Sequence, residues 1–226
     1  MSKILISGYY GFANAGDEAM LTAIIESLRQ VEKNVELTVL SGNPEDTAAK
    51  HQVCSVYRFN PLGIIRTMKD SELIISGGGS LLQDVTSKRS LLYYLSIIGL
   101  GKFFGKKVML FAQGIGPIRA KWARKLTSLV CNEADLITVR DSESAAELIE
   151  MGVKPEKITV TADSVLSLNP VTKECGQYLL QEAGVDLTKP VIGISVRPWS
   201  GDSQCFQVLA EAASKLQQSY GAQLIL

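Results

Sequence analysis

Lys3-Ile4-Leu5-Ile6-Ser7, continuing into Gly8-Tyr9-Tyr10-Gly11-Phe12-Ala13-Asn14-Ala15-Gly16-Asp17-Glu18, is the stretch on which the fold turns. Lys3 to Ser7 is a short apolar run that reads as a strand, and Ala19 to Leu28 beyond the glycines carries a helical pattern. A strand, a glycine loop and a helix start therefore follow one another near the amino terminus. Glycines permit close backbone approach to a ligand, and a helix start offers unpaired N–H groups and the positive end of its dipole. These are the makings of an anion or sugar site. Gly8, Gly11 and Gly16 do not have the G-x-G-x-x-G spacing of a dinucleotide fingerprint, and no Gly-Lys-Ser/Thr follows to make a P-loop. The loop marks a site without naming its ligand.

Outward from this unit the same alternation recurs. Val35 to Leu40, Val53 to Val56, Glu72 to Ile75, Lys107 to Phe111, Asp135 to Val139 and Ile158 to Thr161 read as strands. Pro61 to Lys69, Ser87 to Phe104, Lys121 to Asn132 and Ser142 to about Met151 read as helices, and Ser41-Gly42-Asn43-Pro44 as a loop. Short apolar strands alternating with helices imply parallel strands joined by right-handed crossovers, hence a doubly wound, Rossmann-like α/β sheet. The loops after the strands then share one edge. Residues 1–168 are read as this domain, 169–189 as a linker with a helix, and 190–226 as the start of a second Rossmann-like domain. The last segment, with strands at Val191 to Ser195 and Ala222 to Leu226 around a helix at Asp202 to Gln218, is too small to cover both faces of a parallel sheet. It is therefore read as incomplete, the truncated start of a domain in a longer protein, or else as an appendage packed on the first domain.

Lysine plus arginine equals aspartate plus glutamate at 23 each, so no global basic field exists to hold nucleic acid. Cys54, Cys131, Cys175 and Cys205 form no C-x-x-C pair, and His51 is the only histidine. A zinc site or a Ser-His-Asp triad is poorly supplied, and no metal is expected; scattered thiols read as reduced and cytoplasmic. The first apolar run is too short for a signal peptide.

Ligands of open α/β sheets sit beyond the carboxyl ends of the strands, where four loops of interest meet. Tyr10, Phe12 and Asn14 would surround a sugar or enol acid, the rings as stacking surfaces and Asn14 as donor and acceptor; the alternative is a tight turn with Asp17 and Glu18 complementing the helix dipole. Gly77, Gly78 and Gly79 would turn backbone N–H groups toward a phosphate or sugar, or merely let two loops pack closely. Gln113 and Gly114, in Gln113-Gly114-Ile115-Gly116-Pro117, read the same way. Arg140 ends a strand at the ligand edge, where its guanidinium would clamp a carboxylate or phosphate, or pair with Asp141 or Glu143. Arg197 holds the matching position in the second unit. Asp163 would bond a hydroxyl or cap a turn. Leu91 to Lys107 combines apolar and basic groups and would touch a membrane surface, or pack as a helix against the sheet.

Taken together, these loops resemble the polysaccharide pyruvyl transferases of the CsaB type, which act on bacterial cell-wall polymers. The matching stretches are Gly8 to Ala19, Ser76-Gly77-Gly78-Gly79-Ser80-Leu81-Leu82-Gln83-Asp84, Ala112 to Pro117, Val139-Arg140-Asp141 with Ser144, Ala162-Asp163-Ser164, and Ser195-Val196-Arg197-Pro198-Trp199. The resemblance implies two facing domains of the GT-B kind. It also implies transfer of an enolpyruvyl unit from phosphoenolpyruvate, with no other cofactor, to a hexosamine of a lipid-diphosphate-linked oligosaccharide. The product would be a pyruvate ketal, made in the cytoplasm at the inner face of the membrane. Arg140 would bind the donor, with Tyr10 and Phe12 beside the substrates. Such chemistry needs anion clamps and a general acid/base. The family's catalytic histidine lies in the second domain and His51 matches no motif, so the acid/base is expected beyond Leu226 and the chain alone is expected to be inactive. A GT-B nucleotide-sugar glycosyltransferase and a non-catalytic glycan-binding module are the competing readings.

Overall fold

The computed structural model describes residues 2–196 and 203–225. The chain divides into two compact units, Met1–Leu168 and Asn169–Leu226. The first unit alternates β1 (Lys3–Tyr10), α1 (Ala15–Val31), β2 (Glu36–Ser41), α2 (Pro44–His51), β3 (Cys54–Tyr57), α3 (Pro61–Asp70), β4 (Leu73–Gly77), α4 (Lys88–Phe103), β5 (Lys107–Gln113), α5 (Lys121–Glu133), β6 (Leu136–Val139), α6 (Ser142–Glu150) and β7 (Ile158–Val160). Its seven strands are parallel, in the order β3-β2-β1-β4-β5-β6-β7. This is the doubly wound α/β sheet that the alternation implies. The order reverses between β1 and β4, which places the switch-point crevice of such sheets between the ends of these two strands.

The strands read as apolar runs because both faces of the sheet are covered. Along β1, Leu5 joins one core with Leu91, Leu95 and Ile98 of α4, while Ile4 and Ile6 join the other with Leu21, Ile24 and Ile25 of α1. All are buried, and each such side chain contributes about 1.5–3 kcal/mol relative to exposure. Leu91 to Lys107 is thus mostly a packed helix: α4 buries Leu91, Tyr94, Leu95, Ile97 and Ile98. Of its basic groups, Lys102 and Lys107 bond Asp135 and Lys106 bonds the Lys69 carbonyl. No helix among the described residues is long and apolar enough to cross a membrane.

Two local features differ from the sequence reading. Asn43-Pro44 starts helix α2, because the Asn43 side chain accepts from the Asp46 amide and proline suits the first helical position, where its missing N–H costs nothing. Asn60-Pro61 opens α3 in the same way. The first glycine loop is also much shorter than Gly8 to Glu18. Strand β1 runs on to Tyr10 across a bulge, with Ser7 paired to Leu40 but Tyr10 to the next residue, Ser41, and α1 begins at Ala15.

The second unit contains α7 (Lys173–Glu182), β8 (Val191–Gly193), α8 (Ser203–Tyr220) and β9 (Gln223–Ile225), with β8 and β9 in parallel register. Helix α7 occupies part of the segment read as a linker.

Candidate functional site

The bulge in β1 decides the fate of Tyr10. Its side chain is 1% exposed, and its hydroxyl donates to the Gly77 carbonyl at 2.8 Å. Burial pushes its ionisation far above the ordinary tyrosine value, so it stays a neutral donor. Tyr10 therefore ties the ends of β1 and β4 together across the switch point, and its expected place beside the substrates is corrected: an apolar pocket, not solvent, surrounds the ring. Gly77 ends β4, buried, with its carbonyl spent on that bond. Gln113 is likewise fully buried, its amide donating to the Ser76 carbonyl and Oγ at 3.0 and 2.8 Å. It braces β4 against β5 instead of facing a ligand. Asn14 caps α1, accepting from the Gly16 amide at 3.1 Å.

The turn from 11 to 14 is held by Glu18. One carboxylate oxygen accepts from the Gly11 amide at 2.8 Å and the other lies 3.3 Å from Nε2 of His51. Glu18 thus does more than complement a dipole, and the single histidine of the chain is engaged in holding this turn. Asp17 stands apart. Partial burial, and secondly the Glu18 charge, raise its pKa from 3.8 to about 6, outweighing the favourable helix start. A raised folded-state value means that the neutral form favours the fold. This contribution is complete below about pH 4 and is lost as the pH rises through about 6. Two pKa units correspond to about 2.7 kcal/mol, which solvent screening of a half-exposed group cuts to about 1. Urea denaturation should therefore find Asp17→Asn more stable than wild type by about 1 kcal/mol at pH 8 and indistinguishable at pH 4; equal stabilities at pH 8 would count against it.

The loops after β4, β5 and β6 are knitted into one surface. Gly78 and Gly79 have φ of +66° and +71°, which a side chain would strain, and the Gly79 carbonyl accepts from the Gly114 amide at 3.0 Å. Asp84 accepts from the Arg119 and Ala120 amides at 2.9 and 2.8 Å, hydrogen bonds that hold its carboxyl below the usual range and anchor the loop to α5. Ser144 of α6 accepts from the Ile115 amide at 2.9 Å.

Arg140 lies across this surface. Its backbone N–H extends the sheet by donating to the Gln113 carbonyl. Its side chain, 34% exposed, donates from Nε to Asp141 at 3.2 Å, from Nη1 to Asp163 at 3.4 Å and from Nη2 to Ser80 Oγ at 3.3 Å. Gly114 admits it: a Cβ there would stand 2.7 Å from the Arg140 Cζ. Asp141 also caps α6 through the Ser144 amide at 2.7 Å, and Asp163 caps the turn Ser164–Ser167 through Val165. The structural alternative holds for both: Arg140 is paired and Asp163 caps a turn, and among the described residues three of the five guanidinium N–H groups are spent and two are not. The structure brings together Gly79, Gly114, Arg140 and Asp163; it does not bring the side chains of Tyr10, Gln113 or Asn14 into that group. Arg197 lies outside the described residues.

A second arginine, missed in the sequence, lies just past β3. Arg58 is 5% exposed and lies among five rings, Tyr9, Phe12, Phe59, Tyr93 and Tyr94, its Cζ 4.4 to 6.0 Å from their centroids. Phe12, expected beside the substrates, stacks on Tyr9 at 4.4 Å as part of this cage. Among the described residues no carboxylate lies within salt-bridge range of Arg58. The rule that flags Arg140, an arginine at the carboxyl end of a strand, applies equally to Tyr57-Arg58.

Several solved structures share this architecture. HepE of Anabaena, determined with UDP and glucose, aligns with a TM-score of 0.60 at 12% identity over 100% of this chain and 69% of its own. The UDP-GlcNAc 2-epimerase of Neisseria meningitidis, bound to UDP-GlcNAc, aligns with 0.60 at 13% over 100% and 66%. A putative UDP-N-acetylglucosamine 2-epimerase of Listeria monocytogenes aligns with 0.62 at 13% over 98% and 61%. At such identities the likeness establishes the fold, that of GT-B glycosyltransferases and epimerases, and the chain spans roughly two thirds of their length. No curated protein matches the sequence. The family model described as polysaccharide pyruvyl transferase matches residues 14–218, from the first helix cap through the knitted loops around Arg140 and into α8, and the chain therefore belongs to the polysaccharide pyruvyl transferase family.

Proposed function

We propose that the chain carries the donor-binding domain of a CsaB-type enzyme. It would move an enolpyruvyl unit from phosphoenolpyruvate to a hexosamine of a lipid-diphosphate-linked cell-wall polysaccharide precursor, in the cytoplasm at the inner face of the membrane. The observation that carries this reading is Arg140, a half-open guanidinium with two unspent N–H groups at the carboxyl edge of the sheet. A planar fork with two free donors suits one carboxylate or phosphoryl group. In the reaction, a proton adds to the donor's methylene carbon and the neighbouring carbon becomes cation-like. One sugar hydroxyl attacks it and gives up its proton. A second hydroxyl then replaces the phosphate and gives up its own proton, the phosphate leaving with the electrons of the broken C–O bond, and the ketal closes. Arg140 would hold the donor's anionic charge in place through both steps. His51 is committed to Glu18, so we assign the acid/base to a histidine outside these 226 residues and expect the chain by itself to bind donor without turnover.

Calorimetry separates this reading from a nucleotide-sugar transferase or a glycan-binding module. The chain should bind phosphoenolpyruvate at least tenfold more tightly than UDP-GlcNAc or UDP-glucose. Preference for a UDP-sugar would overturn the donor assignment, and binding of neither donor while a wall disaccharide binds would favour the non-catalytic module.

A further inference from the structure

Arg58 has no role in the donor site just described, and its surroundings point to a ligand of their own. The guanidinium is buried, and among the described residues its side-chain hydrogen bond runs from Nη2 to the Tyr94 hydroxyl at 3.4 Å. Among the described residues its Nε has no hydrogen-bond partner, and two more buried atoms share that condition: Ser7 Oγ and the Tyr93 hydroxyl. Arg58 and Tyr93 are in contact, the Arg58 Cζ lying 4.4 Å from the Tyr93 ring centroid; burial raises the Tyr93 hydroxyl's pKa, and Arg58 and Ser7 beside it act the other way. Aromatic faces can hold a guanidinium by cation–π attraction. They leave a buried charge with no carboxylate in salt-bridge range among the described residues, and an Nε–H and two hydroxyls with no hydrogen bond of good geometry, a state that native interiors rarely tolerate. A purely structural knot therefore accounts for the rings and not for the donors.

We propose that Arg58, Ser7 and Tyr93 form a second oxyanion subsite, one that takes a carboxylate or phosphoryl group between Arg58 Nε and the two hydroxyls. The occupant must accept hydrogen bonds and carry negative charge, because the site supplies donors and one uncompensated cation. Its place suits a substrate group: Ser7 pairs with Ser76 of β4 at the switch point, and the rings of Tyr9, Phe12 and Phe59 around Arg58 are between about 39% and 60% exposed. Phe12 thereby acquires a reason to stand in the first loop, as a wall of this subsite. The subsite rests on its own geometry and does not need Arg140 to bind the donor. Where that reading holds, it offers a seat for the donor's second anionic group or for a phosphoryl group of the acceptor.

The test is the arginine Nε–Hε spectrum of the whole chain, with the Arg58 signal assigned by its loss in Arg58→Lys. Titration with inorganic phosphate, with acetate and with phosphoenolpyruvate should shift this signal saturably, whereas chloride at equal ionic strength should not. Response to phosphate but not acetate assigns a phosphoryl group, and the reverse assigns a carboxylate. Arg58→Met should bind the effective anion at least tenfold more weakly with an unchanged or raised Tm, because an uncompensated buried charge has been removed. No saturable shift with any of the three anions, in the unmodified chain, would overturn the subsite whatever the variants do. Arg140→Ala should leave the phosphate-induced shift intact; a shift that persists while UDP-sugars outcompete phosphoenolpyruvate would sink the donor reading and leave this subsite standing.

Discussion

Replacing Arg140 by alanine is expected to weaken phosphoenolpyruvate binding about 100-fold, roughly 2.7 kcal/mol. The size of the effect comes from what remains. Arg140 is flanked by Asp141 and Asp163, so the wild-type group of three carries one net negative charge, and the alanine variant carries two with no donor between them. The variant loses a clamp and gains repulsion toward the same ligand. Arg140→Ala combined with Asp163→Asn should recover about tenfold of the loss, because the asparagine removes one of the opposing charges. Titration calorimetry on the two variants measures both steps. Lysine at 140 should behave more like alanine than like arginine, since a point charge cannot bond Asp141, Asp163, Ser80 and a ligand in one plane. Wild-type affinity in Arg140→Ala would remove this residue from the donor site.

Tyr10 is expected to act on stability alone. Truncation to alanine empties a fully buried ring position against Ile24 and Ile75 and should cost about 4 kcal/mol. Phenylalanine keeps the ring but leaves the Gly77 carbonyl without its donor, for a cost of about 1–2 kcal/mol. Denaturant unfolding resolves both values, and phosphoenolpyruvate affinity of Tyr10→Phe should stay within twofold of wild type. A Tyr10→Phe variant that kept full stability and lost affinity would return Tyr10 to the substrates.

The difference between these two residues shows what could be read in advance. Both lie in motifs at the ends of apolar strands, and residue type and position alone made both look like ligand contacts. Arg140 keeps its standing as a candidate because its pairing with Asp141, Asp163 and Ser80 leaves the guanidinium 34% exposed at the carboxyl edge of the sheet. Tyr10 loses it because a bulge in β1 shifts the register and turns the ring inward, and a bulge is set by the pairing with β2, more than 25 residues away. Gln113 was lost to the site for a similar reason, its amide being claimed by Ser76 of a neighbouring strand. Arg58 was overlooked for the converse reason: the five rings around it come from β1, the first loop, the residue after it and α4, and no local pattern announces such a gathering.

The sequence by itself determined the doubly wound parallel sheet, since apolar strands alternating with helices allow few other packings, and it determined the family through six ordered loop motifs. It also placed the glycine loops and Arg140 at the carboxyl edge, because in a parallel sheet every βα loop emerges there. Only the tertiary structure decided which side chains of those loops are buried to hold the loops together and which stay partly open. That outcome depends on register and on partners distant in the chain: Glu18 with Gly11 and His51, Tyr10 with Gly77, Asp84 with the start of α5. The opening stretch shows the division most clearly. Its strand, turn and helix follow from local chemistry, whereas the burial of Tyr10 and the placing of Phe12 against Arg58 follow from the strands and helices packed around it.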